Sequence, residues 1–159
     1  MLSKPVHGWS TFSIRDFKAH VSDLVDIPFD WLHACKNGLE NRIPIALYID
    51  EEGKEDYIIA HISETYIITE DEDMLLKYFN NIGMYDITYM LIDDIKAFFD
   101  DWVHFIPYQV SDEDLTKRSN DLKKLLQETE EQFQICLKNR KISIDEIKNK
   151  LEYKTIPKQ

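Results

Sequence analysis

The chain has 159 residues, 43% of them hydrophobic and 12% aromatic, which suits one globular domain or one domain with an appendage. A net charge of −11 excludes DNA, RNA and anionic membrane as direct ligands, because those require basic footprints. No apolar run nears the ~18 residues of a membrane span, and the opening MLSKPVHGWS lacks the apolar core of a signal peptide, so a cytoplasmic chain is expected.

Residues 7–17 read as a strand, with Phe12 and Ile14 alternating with Thr11, Ser13 and Arg15. Gly8 marks a bulge or a turn leading in, and 21–25 is ambiguous. Asp26 is an N-cap candidate and Pro28 fits a first helical turn. Phe29, Leu32, Cys35 or Lys36, and Leu39 then follow helical spacing, closed by Asn37-Gly38 or Asn41. Residues 43–50, 56–62 and 66–69 read as three strands joined by short turns, an antiparallel meander. Four consecutive acids, 70–73, form a loop or solvated hairpin tip. Residues 74–79 fit a fourth strand or a helical turn, and 80–83 break the chain.

Residues 85–105 form the clearest pattern. At about 100° per residue, Ile87, Leu91, Ile92, Ile95, Phe98, Phe99 and Trp102 share one arc. Asp86, Asp93, Asp94, Asp100 and Asp101 share the opposite arc, a carboxylate ridge. Such a ridge is either a solvated outer face or a docking face for a basic partner. Trp102 belongs to the core on this wheel. Trp9 and Trp31 are either core residues or exposed interface anchors.

After Pro107 the charge balance changes. Residues 1–109 hold 20 acids and 8 bases, a net −12, whereas 110–159 hold 10 acids and 11 bases, a net +1. That shift places a candidate boundary between an acidic α+β domain, 1–109, and a helical C-terminal extension, 110–159. Ser111 and Asp114 resemble a capping box, followed by a long helix to about Asn139. Ser143 and Glu146 form a second box before a short helix. The last residues, 153–159, are expected to fray.

No catalytic constellation is legible. The five histidines form no HxxxH pair, and HExxH, GxSxG, the P-loop and GxGxxG are all absent. Cys35 and Cys136 are too far apart for a CxxC site and sit at apolar helical positions, as buried reduced thiols do. The run 70–73 offers oxygen ligands but lacks the glycine and terminal glutamate of an EF-hand. The expectation is a non-enzyme without cofactor or metal.

Five stretches carry a resemblance. The tripeptide His7-Gly8-Trp9 opens the first strand, Asp30-Trp31-Leu32 lies in the first helix, and Asp50-Glu51-Glu52-Gly53 sits at a hairpin. Together with MLIDDI (90–95) and FFDDW (98–102), they resemble the immunity proteins of bacterial polymorphic toxin systems, including the antitoxins of LXG toxins. The likeness spans 6–106. It implies a cytosolic protein that binds and blocks a cognate toxin domain, often a nuclease. These families share no single contact set, so the resemblance assigns no site residue.

The reading is an α+β fold: an antiparallel sheet of four to five strands packed by two helices, with a C-terminal helical extension. The function it favours is capture of a toxin with a basic surface. The candidate contact residues are Asp86, Asp93, Asp94, Asp100 and Asp101 on the helix, with Glu51, Glu52, Asp71, Glu72 and Asp73 in the turns. The alternative is a non-catalytic adaptor that self-associates or docks through its C-terminal helices.

Overall fold

A computed structural model of the chain describes residues 1–70 and 74–152. The elements are β1 (Trp9–Ile14), β2 (Phe17–Ser22), α1 (Ile27–Asn41), β3 (Ile45–Asp50), β4 (Glu55–Ala60), β5 (Glu64–Glu70), β6 (Leu75–Asn80), α2 (Met84–Ala97), α3 (Phe99–Val103), α4 (Asp112–Arg140) and α5 (Ile144–Glu152). The class is α+β, with a four-stranded antiparallel sheet in the order β3-β4-β5-β6, a two-stranded β1-β2 hairpin, and helices that include a C-terminal helical region.

The single strand expected over 7–17 is instead a hairpin. The chain reverses at Arg15 (φ 52°), so that Ile14 pairs with Phe17. Phe12, Ile14, Phe17, Ala19 and Val21 are all buried, so both strands present one side to the core. Gly8, at φ 79°, supplies the left-handed backbone of the turn between Val6 and Trp9.

The central helix is α1. It lies against β3, α2 and α4 and buries Ile27, Trp31, Leu32, Cys35 and Leu39. Trp31 is a core residue whose Nε1 donates to the Tyr48 carbonyl at 3.0 Å. The helix runs through Gly38, where a Cβ would stand 2.6 Å from Ile45 Cγ1, and ends at Arg42 in the left-handed region.

The sheet turns Ile45, Leu47, Ile49, Ile58, Ala60 and Ile67 inward, all buried. Each large aliphatic side chain contributes roughly 1.5–3 kcal/mol by burial. The phase has a surprise. Asp56 is fully buried on this inner face, where its Oδ1 accepts from Thr69 Oγ1 and its Oδ2 lies 3.4 Å from Lys54 Nζ. Its neighbour Tyr57 therefore faces outward.

The long acidic helix is two helices. The backbone breaks at Phe98 (φ −126°, ψ 41°) between α2 and α3. Adjacent aromatics are poor helix formers, and the break sets Trp102 in the core, fully buried and edge-on to Phe105 at 5.0 Å.

Ser111 caps α4 by accepting from the Asp114 amide at 3.1 Å. This helix places Leu122, Leu125, Leu126, Phe133 and Leu137 in the same core as the α1 and α2 stripes. At α5, Ser143 accepts from the Asp145 amide at 3.2 Å, and its own amide donates to Glu146 at 3.4 Å. Among the described residues, no helix is long and apolar enough to cross a membrane.

Candidate partner-binding surface

The structure disperses the aspartate ridge. Asp86 is buried; its Oδ2 accepts from the Gly83 amide at 2.8 Å and its Oδ1 lies 3.2 Å from Lys150 Nζ. It caps α2 and ties α5 to it, which no exposed ridge residue could do. Gly83 itself is forced by crowding, because a Cβ there would stand 2.1 Å from the Ile62 carbonyl oxygen. Asp94 is half-buried and accepts from the Leu2 amide at 2.6 Å; burial pushes its carboxyl above the usual range, against the pull of that hydrogen bond. Asp101 lies 3.5 Å from Lys4. Asp93 and Asp100 remain exposed but belong to different helices.

Among the turn acids, Glu51 accepts from the His20 amide at 2.9 Å and stands 3.7 Å from Lys54. Glu52 is exposed at φ 58°. Asp71, Glu72 and Asp73 lie outside the described residues.

A different surface gathers chemistry. The outward phase of the four-stranded sheet forms rows across the strands. Ala46, Ile59, Tyr66 and Tyr78 are successive register partners, as are Tyr48, Tyr57, Ile68 and Leu76. The Tyr48 and Tyr57 rings lie 5.3 Å apart between centroids, tilted at 45°, and those of Tyr66 and Tyr78 5.1 Å apart, tilted at 40°. Beyond these rows, Asp50 partners Glu55, and Glu55 partners Glu70. At the opposite end stands Glu64. Among the described residues, the face thus carries four tyrosines, four carboxylates and no lysine or arginine.

The carboxylates organise the hydroxyls. Tyr57 donates to Glu55 at 2.8 Å, while Tyr66 and Tyr78 both donate to Glu64, at 3.3 and 2.9 Å. The hydrogen bond to Glu55, then partial desolvation, pushes the Tyr57 hydroxyl up to about 12. Tyr78 is raised first by its bond to Glu64, whereas Tyr48 and Tyr66 are raised first by desolvation. All four therefore stay neutral donors in a negative field. The two nearest lysines are turned away. Lys54 reaches Glu51 and the inner-face Asp56, and Lys77 reaches Asp16 at 3.4 Å and the Phe17 ring. Among the described residues, none of the four carboxylates meets a basic side chain within salt-bridge distance.

Like charges directly across strands are destabilising, so the row Asp50–Glu55–Glu70 weakens the free protein. A basic partner would reverse that sign. Such a face can hold cations between its carboxylates and set aromatic rings against them.

Sequence reasoning missed this surface because 57–59 and 66–68 are continuous apolar runs whose phase is illegible. The visible signal was a tyrosine in every strand of the meander. Elsewhere, a cleft of about 270 Å³ between the ends of α1 and α4 holds Arg42 and Arg140. Both stand at helix C-termini, where the dipole favours cations. Cys35 is buried, and desolvation pushes its thiol up to about 12, so it is unreactive. Among the described residues, no group of three or more histidine, cysteine or acidic side chains is placed to hold a metal. No family model, curated protein or solved structure matches the chain.

Proposed function

We propose that the protein is an immunity protein: it captures a toxin domain with a basic, nuclease-type surface and blocks it by binding, without turnover. One observation carries this reading. The outer sheet face sets Asp50, Glu55, Glu64 and Glu70 among Tyr48, Tyr57, Tyr66 and Tyr78, with no basic side chain on it among the described residues. Tyrosine is enriched at the energetic centres of interfaces, and it orders at small entropic cost. Carboxylates around it steer a basic partner and make its capture salt-sensitive. A nuclease is basic where it holds phosphate, so an acidic face can occupy that surface. The resemblance of 6–106 to toxin immunity proteins supports the same assignment. The adaptor alternative draws on α4 and α5, yet the apolar stripe of α4 is spent within the chain's own core.

Co-purification from the native host, followed by a protection assay with the captured protein, tests the proposal. The expected partner is a basic toxin domain inhibited at one-to-one stoichiometry. A Glu55→Lys/Glu64→Lys variant should fail to protect, while Asp93→Lys/Asp100→Lys should protect as the parent does. Protection by both variants would remove the sheet face from the function.

A further inference from the structure

The two borders of the main sheet are treated differently. β3 is covered: α1 and β2 lie against it, Trp31 donates to its Tyr48 carbonyl, and Glu51 just beyond it accepts from His20. Among the described residues, β6 has β5 on one side and no strand on the other. Among the described residues, the side-chain hydrogen bond that reaches its backbone is the one from Arg15 Nη2 to the Asn80 carbonyl, 2.8 Å, at the last residue. The backbone groups of alternate residues point to opposite edges of a strand. About half of the N–H and C=O groups of β6 therefore face outward.

The side chains do not guard this edge. Leu75 is 57% exposed, Leu76 66% and Tyr78 50%, with Met74 at 74% just before the strand. Leu75 lies on the inner phase and Leu76 on the outer, so both sides of β6 present apolar surface. Natural sheets blunt such edges with charge, bulges or cover, because an open apolar edge templates another strand. Lys77 is the one charge on β6, and it is drawn to Asp16 and Phe17.

We propose that β6 accepts a strand from the partner protein, extending the sheet by one, and that this strand is rich in lysine or arginine. The inference rests on the binding reading above and adds the mode of docking. Charge selects the occupant. Glu64 and Glu70 flank the outer face on β5, the strand next to β6. A basic strand laid on β6 turns its charged side chains to the outer side, where their aliphatic stems cover Leu76 and Tyr78 and their heads reach those carboxylates, while its apolar positions fall on the inner side beside Leu75. A second copy of this chain would bring another −11 to the same edge. Main-chain hydrogen bonds would supply the affinity, and the tyrosine–carboxylate rows the choice of partner.

The probe is an end-blocked octapeptide of alternating lysine and valine, titrated against the intact chain. Amide hydrogen exchange is followed with and without it. Saturable binding with slowed exchange confined to β6 and its flanks supports the proposal. A peptide N-methylated at alternate backbone amides should lose binding. Leu76→Lys, at an exposed position, should weaken binding about tenfold through like-charge repulsion. Absence of saturable binding, protection elsewhere, or equal binding of the N-methylated peptide overturns the proposal. So does a concentration-dependent dimer that protects β6 without peptide, since the occupant would then be a second copy. If a basic toxin is captured and neutralised while β6 exchange is unchanged, strand addition fails and the immunity reading stands. If the peptide pairs with β6 but no toxin is neutralised, the immunity reading fails instead.

Discussion

Arg118 grips Asp26 with two parallel hydrogen bonds, Nη1 to Oδ2 at 2.8 Å and Nη2 to Oδ1 at 2.7 Å. The same guanidinium donates through Nε to the Val103 carbonyl at 2.8 Å and lies 4.6 Å from the centre of the Phe29 ring. One side chain of α4 thus fastens the start of α1 to the end of α3. Asp26 occupies the N-cap position of α1 but makes no side-chain cap; its carboxylate is given to the arginine.

Arg118→Lys should therefore destabilise by about 1–2 kcal/mol, because a point ammonium cannot make the fork or the stack. Partial solvation of Asp26 keeps the figure at that level. Chemical denaturation of Arg118→Lys, Asp26→Asn and the double variant measures it. Strict additivity would show that the pair is uncoupled.

Trp102→Ala should cost roughly 3–5 kcal/mol, the range for emptying a large aromatic site. The ring is fully buried and edge-on to Phe105, so its removal leaves a cavity. An unchanged melting temperature would contradict the packing described.

Charge reversals on the helices should split by position. Asp93→Lys and Asp100→Lys, both at exposed sites, should stay within about 0.5 kcal/mol of the parent. Asp94→Lys should destabilise clearly, since it would place an ammonium against the Leu2 amide. Equal stability for all three would mean that Asp94 is solvated.

Truncation after Gln109 should unfold or precipitate the protein. It removes Leu122, Leu125, Leu126, Phe133 and Leu137 and bares the sides of α1 and α2 they cover. A monomeric, cooperatively folding 1–109 fragment would refute this.

Alkaline titration should find Tyr57 ionising late, at about 12. Its ordinary value is about 10, so the folded value is raised. The associated stability is fully present below about pH 10 and is lost as pH rises through the folded value. Glu55→Gln should bring that ionisation down, read by tyrosinate absorbance. Identical curves for parent and variant would show that Glu55 does not hold the hydroxyl.

The elements with strong periodicity were legible in the sequence. The β3–β5 meander, α1 and α4 follow from apolar spacing, turn residues and the Ser111 cap. The candidate site was not, and the reason is local. Residues 56–62 read as a strand without a phase; Thr69 and Lys54 hold Asp56 inside, which sets Tyr57 on the surface. Asp86 reads as part of a solvated ridge, but it serves the start of α2 and the lysine of α5. A helical wheel assumes one axis, and the break at Phe98 gives the aspartates two. In each case a long-range partner decided where a carboxylate went.

The placement of α4 over α1 also orders events during synthesis. Strands β3 to β6 pair only with sequence neighbours, so their hairpins can close as soon as they leave the ribosome. The outer side of α1 has no such local cover. It stays bare until Phe133 and Leu137 emerge, nearly a hundred residues later, when Cys136 also reaches the Leu39 carbonyl at 3.7 Å. A nascent chain stalled before α4 would thus display the tyrosine rows in place on a body that has yet to close, leaving it open to chaperones and proteases.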